Sequence, residues 1–295
     1  MTPAEQRTGV ALREPVHWHD LAQLARTAEE TGYDALFVPE SAGRDGFATL
    51  AALAAETTTV RLATGVVAIT ARRPQATAMA AATVQEASGG RFVLGVGAGF
   101  ERSLRTVRDY VRQVRETELS FDPGPPPPVW LAALGDRMLG LAAEVADGVL
   151  LNWCTPERVA RARSTLARGA EAAGRDPASL TVGVYVRACL EPEEDVALAA
   201  LDAQARQYAS LPHYRRQFGA MGLGGEAEAA AGGASDSLVR ATCLLGDPRA
   251  AVERLQAYRE AGADVPVVYP VPVLEPVSSL MGTILALAPA PALEA

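Results

Sequence analysis

Two apolar stretches separated by a helical segment constrain the fold of this chain more than any other feature. Residues 61–69 and 91–99 are each rich in β-branched and small residues, a pattern typical of a buried strand. Each stretch ends in small residues, where open backbone can approach a ligand. Because a helix lies between them, the two strands are expected to run parallel in one sheet, and parallel α/β sheets bind ligands at the carboxyl ends of their strands.

The alternation of strand and helix continues along the chain and identifies an architecture. Apolar patterns, with helical segments between them, predict eight strands at residues 9–12, 34–39, 60–69, 91–95, 129–134, 149–151, 181–186 and 265–269. An α/β protein of the TIM (β/α)8 barrel type consists of eight such βα units. We therefore predict a single TIM-barrel domain over residues 1–295.

Three segments depart from this alternation. Residues 121–128 contain five prolines, and they predict a stiff connector because proline donates no backbone hydrogen bond. Residues 209–237 contain two glycine-rich clusters without a clear period, so we expect an irregular loop, either a mobile lid near the barrel top or a disordered segment. Residues 286–295 predict a frayed tail.

Charge and composition exclude several classes of function. The 27 basic residues are all arginine and are scattered, and the net charge is −8, so nucleic acid is not expected as a partner. The absence of lysine excludes Schiff-base chemistry, attachment of pyridoxal phosphate and a P-loop. The three cysteines show no C-x-x-C spacing and their number is odd, which suits a reducing compartment. Without a signal sequence or a long apolar run, we expect a cytoplasmic protein that does not bind membranes.

Glycines follow the fourth predicted strand at Gly95, Gly97 and Gly99. Their missing side chains would let backbone N–H groups approach an anion at the start of the next helix, although a purely structural turn explains the pattern equally well. The dinucleotide-binding motif G-x-G-x-x-G is incomplete, because Phe100 occupies the position of its last glycine. A Rossmann domain is therefore disfavoured.

A second candidate for phosphate binding follows the fifth predicted strand, in residues 133–138. Gly135 would allow close approach of a ligand, and Arg137 stands beside the free amides of a helix start. The structural alternative is that Asp136 only caps the helix while Arg137 is solvated.

Polar and aromatic residues near two strand ends are further candidates. Glu40 follows the second predicted strand and would orient a ring or accept a proton, unless it forms an ion pair with Arg44 or Arg72. Trp153 and Cys154 follow the sixth predicted strand and would either wall a pocket or pack in the core.

The pattern His17-Trp18-His19 imitates the H-x-H motif of metal-dependent barrel hydrolases. Such a metal needs further histidine or acidic ligands from later strands, and the sequence offers only His213, in its irregular region. We therefore predict no metal site, and surface positions at a helix start for His17 and His19.

Longer motifs resemble the luciferase-like monooxygenase superfamily, particularly its actinobacterial branch of oxidoreductases that depend on coenzyme F420, a deazaflavin, or on a flavin. The matching segments lie between about residues 9 and 270, at residues 28–40, 53–57, 61–66, 88–99, 146–149, 246–248 and 261–264. The resemblance implies a luciferase-like TIM barrel that holds an isoalloxazine or deazaflavin ring in its mouth. It also implies a non-proline cis peptide bond between Gly65 and Val66.

The resemblance further implies roles for individual residues. Glu40 would lie near the polar edge of the ring, and Thr64, Gly65 and Val66 would support the ring. The residues implied to line or bind the phosphate tail are Gly97, Ala98, Gly99, Phe100, Ala133, Leu134, Gly135, Asp136, Arg137 and Met138. Candidate catalytic residues are Glu40, Ser41 and Trp153. Many relatives carry a histidine where this chain has Ser41. The chain departs from the family pattern at this position, so the resemblance does not imply a proton donor there.

The resemblance implies an enzyme that transfers a hydride between coenzyme F420 and a small organic substrate. One alternative is a monooxygenase that uses FMN and dioxygen, and another is an accessory or binding protein that has lost its cofactor. Relatives often form homodimers, so a dimer is a further expectation. The substrate is not specified, because variable loops at the barrel top determine it.

Overall fold

A computed structural model of the protein describes residues 7–13, 16–41, 43–101 and 103–289. Within them the strands are β1 (Gly9–Ala11), β2 (Ala35–Val38), β3 (Arg61–Thr64), β4 (Val67–Ala68), β5 (Phe92–Gly97), β6 (Val129–Ala132), β7 (Gly148–Asn152), β8 (Thr181–Cys189), β9 (Leu244–Leu245) and β10 (Val265–Pro270). The helices are α1 (Trp18–Glu30), α2 (Gly46–Ala54), α3 (Pro74–Ala87), α4 (Leu104–Glu116), α5 (Asp136–Val145), α6 (Pro156–Ala172), α7 (Glu194–Ser210), α8 (Pro212–Ala220), α9 (Gly224–Ala231), α10 (Asp236–Thr242), α11 (Pro248–Glu260) and α12 (Pro276–Ala286).

Eight of the strands form a closed parallel barrel. Their order is β1, β2, β3, β5, β6, β7, β8 and β10, and β10 pairs with both β8 and β1. This arrangement confirms the predicted TIM barrel. The third predicted strand is interrupted at Gly65 and Val66, after which β4 pairs with β5, while β9 adds two residues beside the end of β8.

Side chains alternate between two buried layers along each barrel strand, as the period of a strand requires. In β2, Ala35 and Phe37 point into the barrel, whereas Leu36 and Val38 face the surrounding helices. The ring of Phe37 lies 5.9 Å from the ring of Trp130 and 5.9 Å from that of Tyr185 across the interior. The barrel interior is therefore a packed aromatic core, and the space for a ligand lies above it.

The expectation of an irregular loop over residues 209–237 is wrong. This region contains α8, α9 and the first two residues of α10, and we call these three helices the helical cap. Gly222 and Gly233 have positive φ values of 80° and 106°, and each follows the end of a helix, where such a conformation is common. The glycine-rich clusters therefore end short helices and do not mark an unstructured segment. Phe218, Ala230 and other apolar residues of the cap are buried against the rest of the molecule.

Two other expectations concern the connector and the tail. Residues 121–128 contain neither helix nor strand and link α4 to β6, as their prolines predict. The predicted frayed tail begins where α12 ends, at Ala286, but residues 290–295 lie outside the described residues. None of the helices in the described ranges combines the length and the apolar character needed to cross a bilayer.

Candidate functional site

A cleft of about 1490 Å³ opens at the carboxyl ends of the barrel strands, beneath the helical cap. Its volume exceeds that of a typical pocket for one small ligand, so the cleft has room for a cofactor together with a substrate. The predicted site residues that line it are Glu40, Ser41, Gly65, Val66, Gly97, Ala98, Gly99, Phe100, Leu134, Gly135, Asp136, Arg137 and Met138.

Three predicted site residues do not reach the cleft. Thr64 and Ala133 are fully buried beside the residues that line it, and Trp153 is 1% exposed. Thr64 supports the cleft wall indirectly, because its hydroxyl oxygen accepts from the Gly95 N–H at 2.8 Å and donates to the Gly95 carbonyl at 2.9 Å. Neither Thr64 nor Ala133 presents its side chain to the cleft, so any support that they give to a ligand would be indirect.

The backbone bulge at Gly65 and Val66 forms part of the cleft surface, and the peptide bond between these residues is cis. The Tyr185 hydroxyl donates a hydrogen bond of 2.8 Å to the Gly65 carbonyl. A Cβ atom on Gly65 would lie only 1.8 Å from that hydroxyl oxygen, and one on Gly95 would lie 1.9 Å from the Thr64 carbonyl oxygen. Glycine is therefore required at both positions for the bulge to pack as it does.

Glu40 lies at the cleft and is held by two donors. Its Oε2 atom accepts a hydrogen bond of 2.8 Å from the Gly46 N–H and forms an ion pair of 3.3 Å with Arg72. Of the two ion-pair partners considered for Glu40, Arg72 is the one observed, since Arg44 donates to the Val16 carbonyl. The carboxylate thus combines exposure to the cleft with a fixed position.

Arg72 also pairs with Asp45, which caps α2 by accepting from the Ala48 N–H at 2.9 Å. Burial acts to raise the pKa of Asp45, but the hydrogen bonds from Ala48 and Arg72 outweigh it, and the pKa is lowered overall. Burial acts to lower the pKa of Arg72, but the hydrogen bonds and charges of Glu40 and Asp45 together outweigh it, and the pKa is raised overall. This network fixes the loop that carries Glu40 and Ser41.

The start of α5 forms another wall of the cleft. Gly135 is its N-cap, no side chain caps the helix, and a Cβ at Gly135 would meet nothing within 4 Å. Asp136 is not the cap: it pairs at 3.2 Å with the buried Arg158, which also donates to the Leu134 carbonyl at 2.8 Å. In the first turn the Met138 N–H donates to the Gly135 carbonyl at 3.0 Å, whereas the Asp136 and Arg137 N–H groups have no partner among the described residues. These two N–H groups and the positive end of the helix dipole have the chemistry of an anion site.

Trp153 has a backbone φ of 52°, which is uncommon for a bulky residue. The Gln217 side chain donates to the Asn152 and Trp153 carbonyls at 2.7 and 2.8 Å and fixes this turn. The candidate catalytic role of Trp153 is not supported, since its ring packs beneath the cleft. The neighbouring Cys154 thiol is fully enclosed, and burial raises its pKa to about 12, so it remains protonated.

Sequence reasoning did not identify the residues at the base of the cleft, namely Tyr185, Arg187 and Tyr269, which we call the cleft floor. Arg187 lies in β8, which extends to Cys189, three residues beyond the predicted strand at 181–186. Continuing the inward alternation from Tyr185 by two residues would have placed Arg187 in the barrel.

The two histidines near the amino terminus are exposed at the start of α1, where His17 is the N-cap. Across the described ranges, no group of three or more His, Cys, Asp and Glu side chains is arranged to hold a metal ion. His213 lies in the helical cap and lines the cleft.

The chain forms a parallel eight-stranded barrel with a glycine-lined cleft at the carboxyl ends of its strands. This is the architecture of TIM-barrel enzymes, which bind their ligands at that end of the barrel. A sequence model of the luciferase-like monooxygenase family matches residues 1–107 and 100–265 of this chain. The chain belongs to the luciferase-like monooxygenase family, as its motifs predict.

One relative of this chain with a named activity is a 5,10-methylenetetrahydromethanopterin reductase of Methanolobus tindarius. It is 32% identical over 214 residues, which cover 62% of this chain and 65% of the relative. The match thus spans just under two thirds of that relative's length.

Solved structures show the same fold over nearly the whole chain. The coenzyme F420-dependent tetrahydromethanopterin reductase of Methanopyrus kandleri superposes with a TM-score of 0.76 at 21% identity, covering 97% of this chain and 98% of that one. The oxygenating constituent of 3,6-diketocamphane monooxygenase of Pseudomonas putida, solved with FMN, gives a TM-score of 0.69 at 16% identity, covering 97% and 98%. Deazaflavin and flavin enzymes therefore share this fold.

Proposed function

We propose that the protein is an oxidoreductase that binds coenzyme F420 in the cleft and transfers a hydride between its deazaflavin ring and a small organic substrate. The observation that carries this proposal is the open cleft itself, which exposes the backbone bulge at Gly65 and Val66 and the uncapped start of α5 to the same space. A planar ring needs open space beside an apolar surface, and a phosphate needs free N–H groups. The residues present fit both requirements.

The residues of this chain would bind and orient, while the deazaflavin supplies the capacity to carry a hydride. Gly65 and Val66 would support one face of the ring, and Tyr185 holds this backbone from below. The Gly135 end of α5 would bind the phosphate. Reduction of a carbonyl or alkene substrate takes up one hydride and one proton, and the apolar cleft side chains Val66, Leu134 and Leu150 would limit access of water to that reaction.

Glu40 would orient a ligand and not donate the proton. Its carboxylate already accepts hydrogen bonds from Gly46 and Arg72, so it is placed to accept a further N–H or O–H from the polar edge of a ring. Ser41 lies next to it on the cleft surface, where its hydroxyl can both donate and accept. Ser41 would therefore serve as a hydrogen-bonding residue at the position where many relatives have a histidine.

Charge supports F420 over FMN. The cleft is lined by seven arginines and three carboxylates within the described residues, although the whole chain has a net charge of −8. Four of these arginines form what we call the arginine wall, which comprises Arg137, Arg161, Arg168 and Arg216. None of the four forms a salt bridge with a described carboxylate. F420 carries carboxylates beyond its phosphate, whereas FMN ends at the phosphate, so the arginine wall suits the longer anionic tail.

The cleft geometry also weighs against an accessory protein without a cofactor. In such a protein we would expect a side chain to fill the space above Gly65, but Gly65 and Val66 line the open cleft. A monooxygenase that uses FMN and dioxygen remains the alternative function, and the fold similarity to an FMN-containing oxygenase motivates it.

Absorbance titrations with three oxidised ligands test the proposal. The three ligands are F420, FMN and the deazaflavin riboside, which lacks the phosphate and the glutamates. We expect the protein to bind F420 most tightly, FMN less tightly and the riboside least tightly. The double variant Arg161→Gln with Arg168→Gln should weaken the binding of F420 at least about tenfold and that of FMN less, because only the longer tail of F420 would extend past the phosphate site to Arg161 and Arg168. Tight FMN binding without affinity for F420 would support the monooxygenase, and binding of none of the three would support the accessory protein.

A further inference from the structure

Arg187, in the cleft floor, is a buried cation without a carboxylate partner. The residue is 3% exposed, and its guanidinium forms no salt bridge with any carboxylate in the described part of the chain. Its hydrogen bonds go to neutral amide oxygens, from Nε to Gln204 at 2.9 Å and from Nη1 to Asn152 at 2.8 Å. A buried charge normally requires an opposite charge, so this arrangement is incomplete within the protein.

Three aromatic rings surround the guanidinium group. Its Cζ atom lies 4.2 Å from the ring centroid of Trp153, and 4.9 Å from the centroids of both Tyr208 and Tyr269. Cation–π contacts of this kind stabilise the charge in part, and they hold the guanidinium plane in one orientation. The rings explain how Arg187 is tolerated in the core, but they do not supply a negative charge.

One edge of the guanidinium remains available to a ligand. Nε and Nη1 are occupied, whereas Nη2 has no hydrogen-bond partner among the described residues, and Arg187 lines the cleft. The neighbouring Tyr269 carries a hydroxyl on the same floor and interacts electrostatically with both Arg187 and Arg13. The floor therefore presents a fixed donor and a positive field to any molecule that enters the cleft.

We propose that Arg187 binds a carboxylate of the substrate, so that the substrate class is a small unsaturated or carbonyl-containing organic acid. This inference rests on the proposed function, because it assumes that the cofactor occupies the upper cleft and the substrate the floor. A charge-assisted hydrogen bond from Nη2 to a carboxylate would supply the missing counter-charge. The same contact would fix one end of the substrate below the ring while its reducible group lies against the cofactor.

A pair of probes of equal shape and different charge tests the inference in the wild-type protein. Dissociation constants for trans-cinnamate and trans-cinnamamide are measured by calorimetry, first without and then with saturating F420. We expect cinnamate to bind at least about tenfold more tightly than the amide, because charge-assisted hydrogen bonds are about twice as strong as neutral ones. Equal affinities would overturn the proposal without any variant.

Two variants locate the effect at Arg187. Arg187→Lys should keep part of the cinnamate preference, since it retains the charge but not the fixed plane. Gln204→Glu places a carboxylate beside Nε at nearly unchanged shape, and should abolish the preference by pairing with Arg187 internally. Arg249→Gln, which removes one charge from an exposed position on α11, is the control and should leave the ratio unchanged. A preference that survives in Gln204→Glu would contradict the assignment.

The measurements with saturating F420 distinguish a failure of this inference from a failure of the proposed function. If cinnamate preference depends on Arg187 but F420 does not bind, the proposed function fails and the anion site stands. If F420 competes with cinnamate for the site, the anion that Arg187 binds belongs to the cofactor tail, and the substrate assignment is wrong. Simultaneous binding of both is the expected result.

Discussion

At the scale of single residues, Tyr185 links the packed barrel interior to the candidate site. Burial, the largest effect, raises the pKa of its hydroxyl well above 10, so the group stays protonated and remains a donor to the Gly65 carbonyl. The backbone that would face a ring is thus fixed by one buried hydrogen bond.

Tyr185→Phe should reduce both stability and cofactor affinity. The variant leaves the buried Gly65 carbonyl without its donor, which costs about 1–3 kcal/mol in the free energy of unfolding. Urea unfolding and F420 titration measure the two effects. Tyr33→Phe is the matched control, because Tyr33 donates a buried hydrogen bond of 2.9 Å to the Ile284 carbonyl, a carbonyl outside the cleft lining. If both variants bind F420 like the wild type, Tyr185 does not support the ring.

Several residues of the candidate site could be predicted and others could not, for a physical reason. The small residues at Gly65, Gly97 and Gly135 are visible in the sequence because they follow apolar strands. Arg187 is not, since a charged residue within a strand is ordinarily expected to face solvent and only the closed barrel makes its position internal.

At the scale of elements, helices α5 and α6 pack closely, and each contains a glycine. One of these glycines has space for a side chain and the other does not. A Cβ on Gly140 in α5 would meet nothing within 4 Å, whereas one on Gly169 in α6 would lie 2.8 Å from the Ala143 Cβ. Helix propensity favours alanine at both positions, so packing decides the difference between them.

We expect Gly140→Ala to raise the free energy of unfolding by about 0.5–1 kcal/mol, through the better helix propensity of alanine. Gly169→Ala should instead lower it by about 1 kcal/mol, because the strain of overpacking exceeds the gain in propensity. Urea denaturation of the two variants provides the comparison. Stabilisation by both substitutions would show that the two helices can separate without cost.

Glu29, near the end of α1, connects that helix to the start of β3. Its Oε1 atom accepts hydrogen bonds from the N–H groups of Thr58, Thr59 and Val60 at 2.9, 2.6 and 2.8 Å. Burial acts to raise the pKa of Glu29, but these backbone hydrogen bonds outweigh it and lower the pKa below its ordinary value. Because the pKa of Glu29 is lower in the folded than in the unfolded state, its carboxylate stabilises the folded protein at pH values above the unfolded-state pKa.

Glu29→Gln should therefore destabilise the protein at neutral pH by about 1 kcal/mol, a value reduced for partial solvent screening. The difference from the wild type should shrink as the pH falls from about 4.5 through the lower pKa of the folded state, because the wild-type carboxylate is then protonated. Urea unfolding between pH 7 and pH 3 measures this, with Glu30→Gln on the exposed face as the control. A difference that does not vary with pH would contradict the role of the charge.

The helical cap shows where prediction at this scale fails. Its glycines, such as Gly222, lie at helix ends, and short helices separated by glycine resemble a loop in the sequence. Their helical state depends on burial of Phe218 and Leu238 against other elements, which a local pattern does not reveal.

At the scale of the whole molecule, the barrel could be predicted almost completely. Eight apolar stretches with intervening helical periods specify parallel strands, and such strands need both faces covered, which leaves few arrangements. The barrel closes where β10 pairs with β1, and these strands are far apart in the sequence, so closure follows from the strand count and not from any local signal. The position of the cleft then follows, because parallel strands place their carboxyl ends on one side.

Crystallisation of the protein with saturating F420 would show whether the cleft holds this cofactor. We expect electron density for the ring against the backbone of Gly65 and Val66, with the phosphate within hydrogen-bond distance of the N–H groups at the start of α5. Density for the cofactor outside the cleft, or a cleft that stays empty at saturating F420, would contradict this expectation.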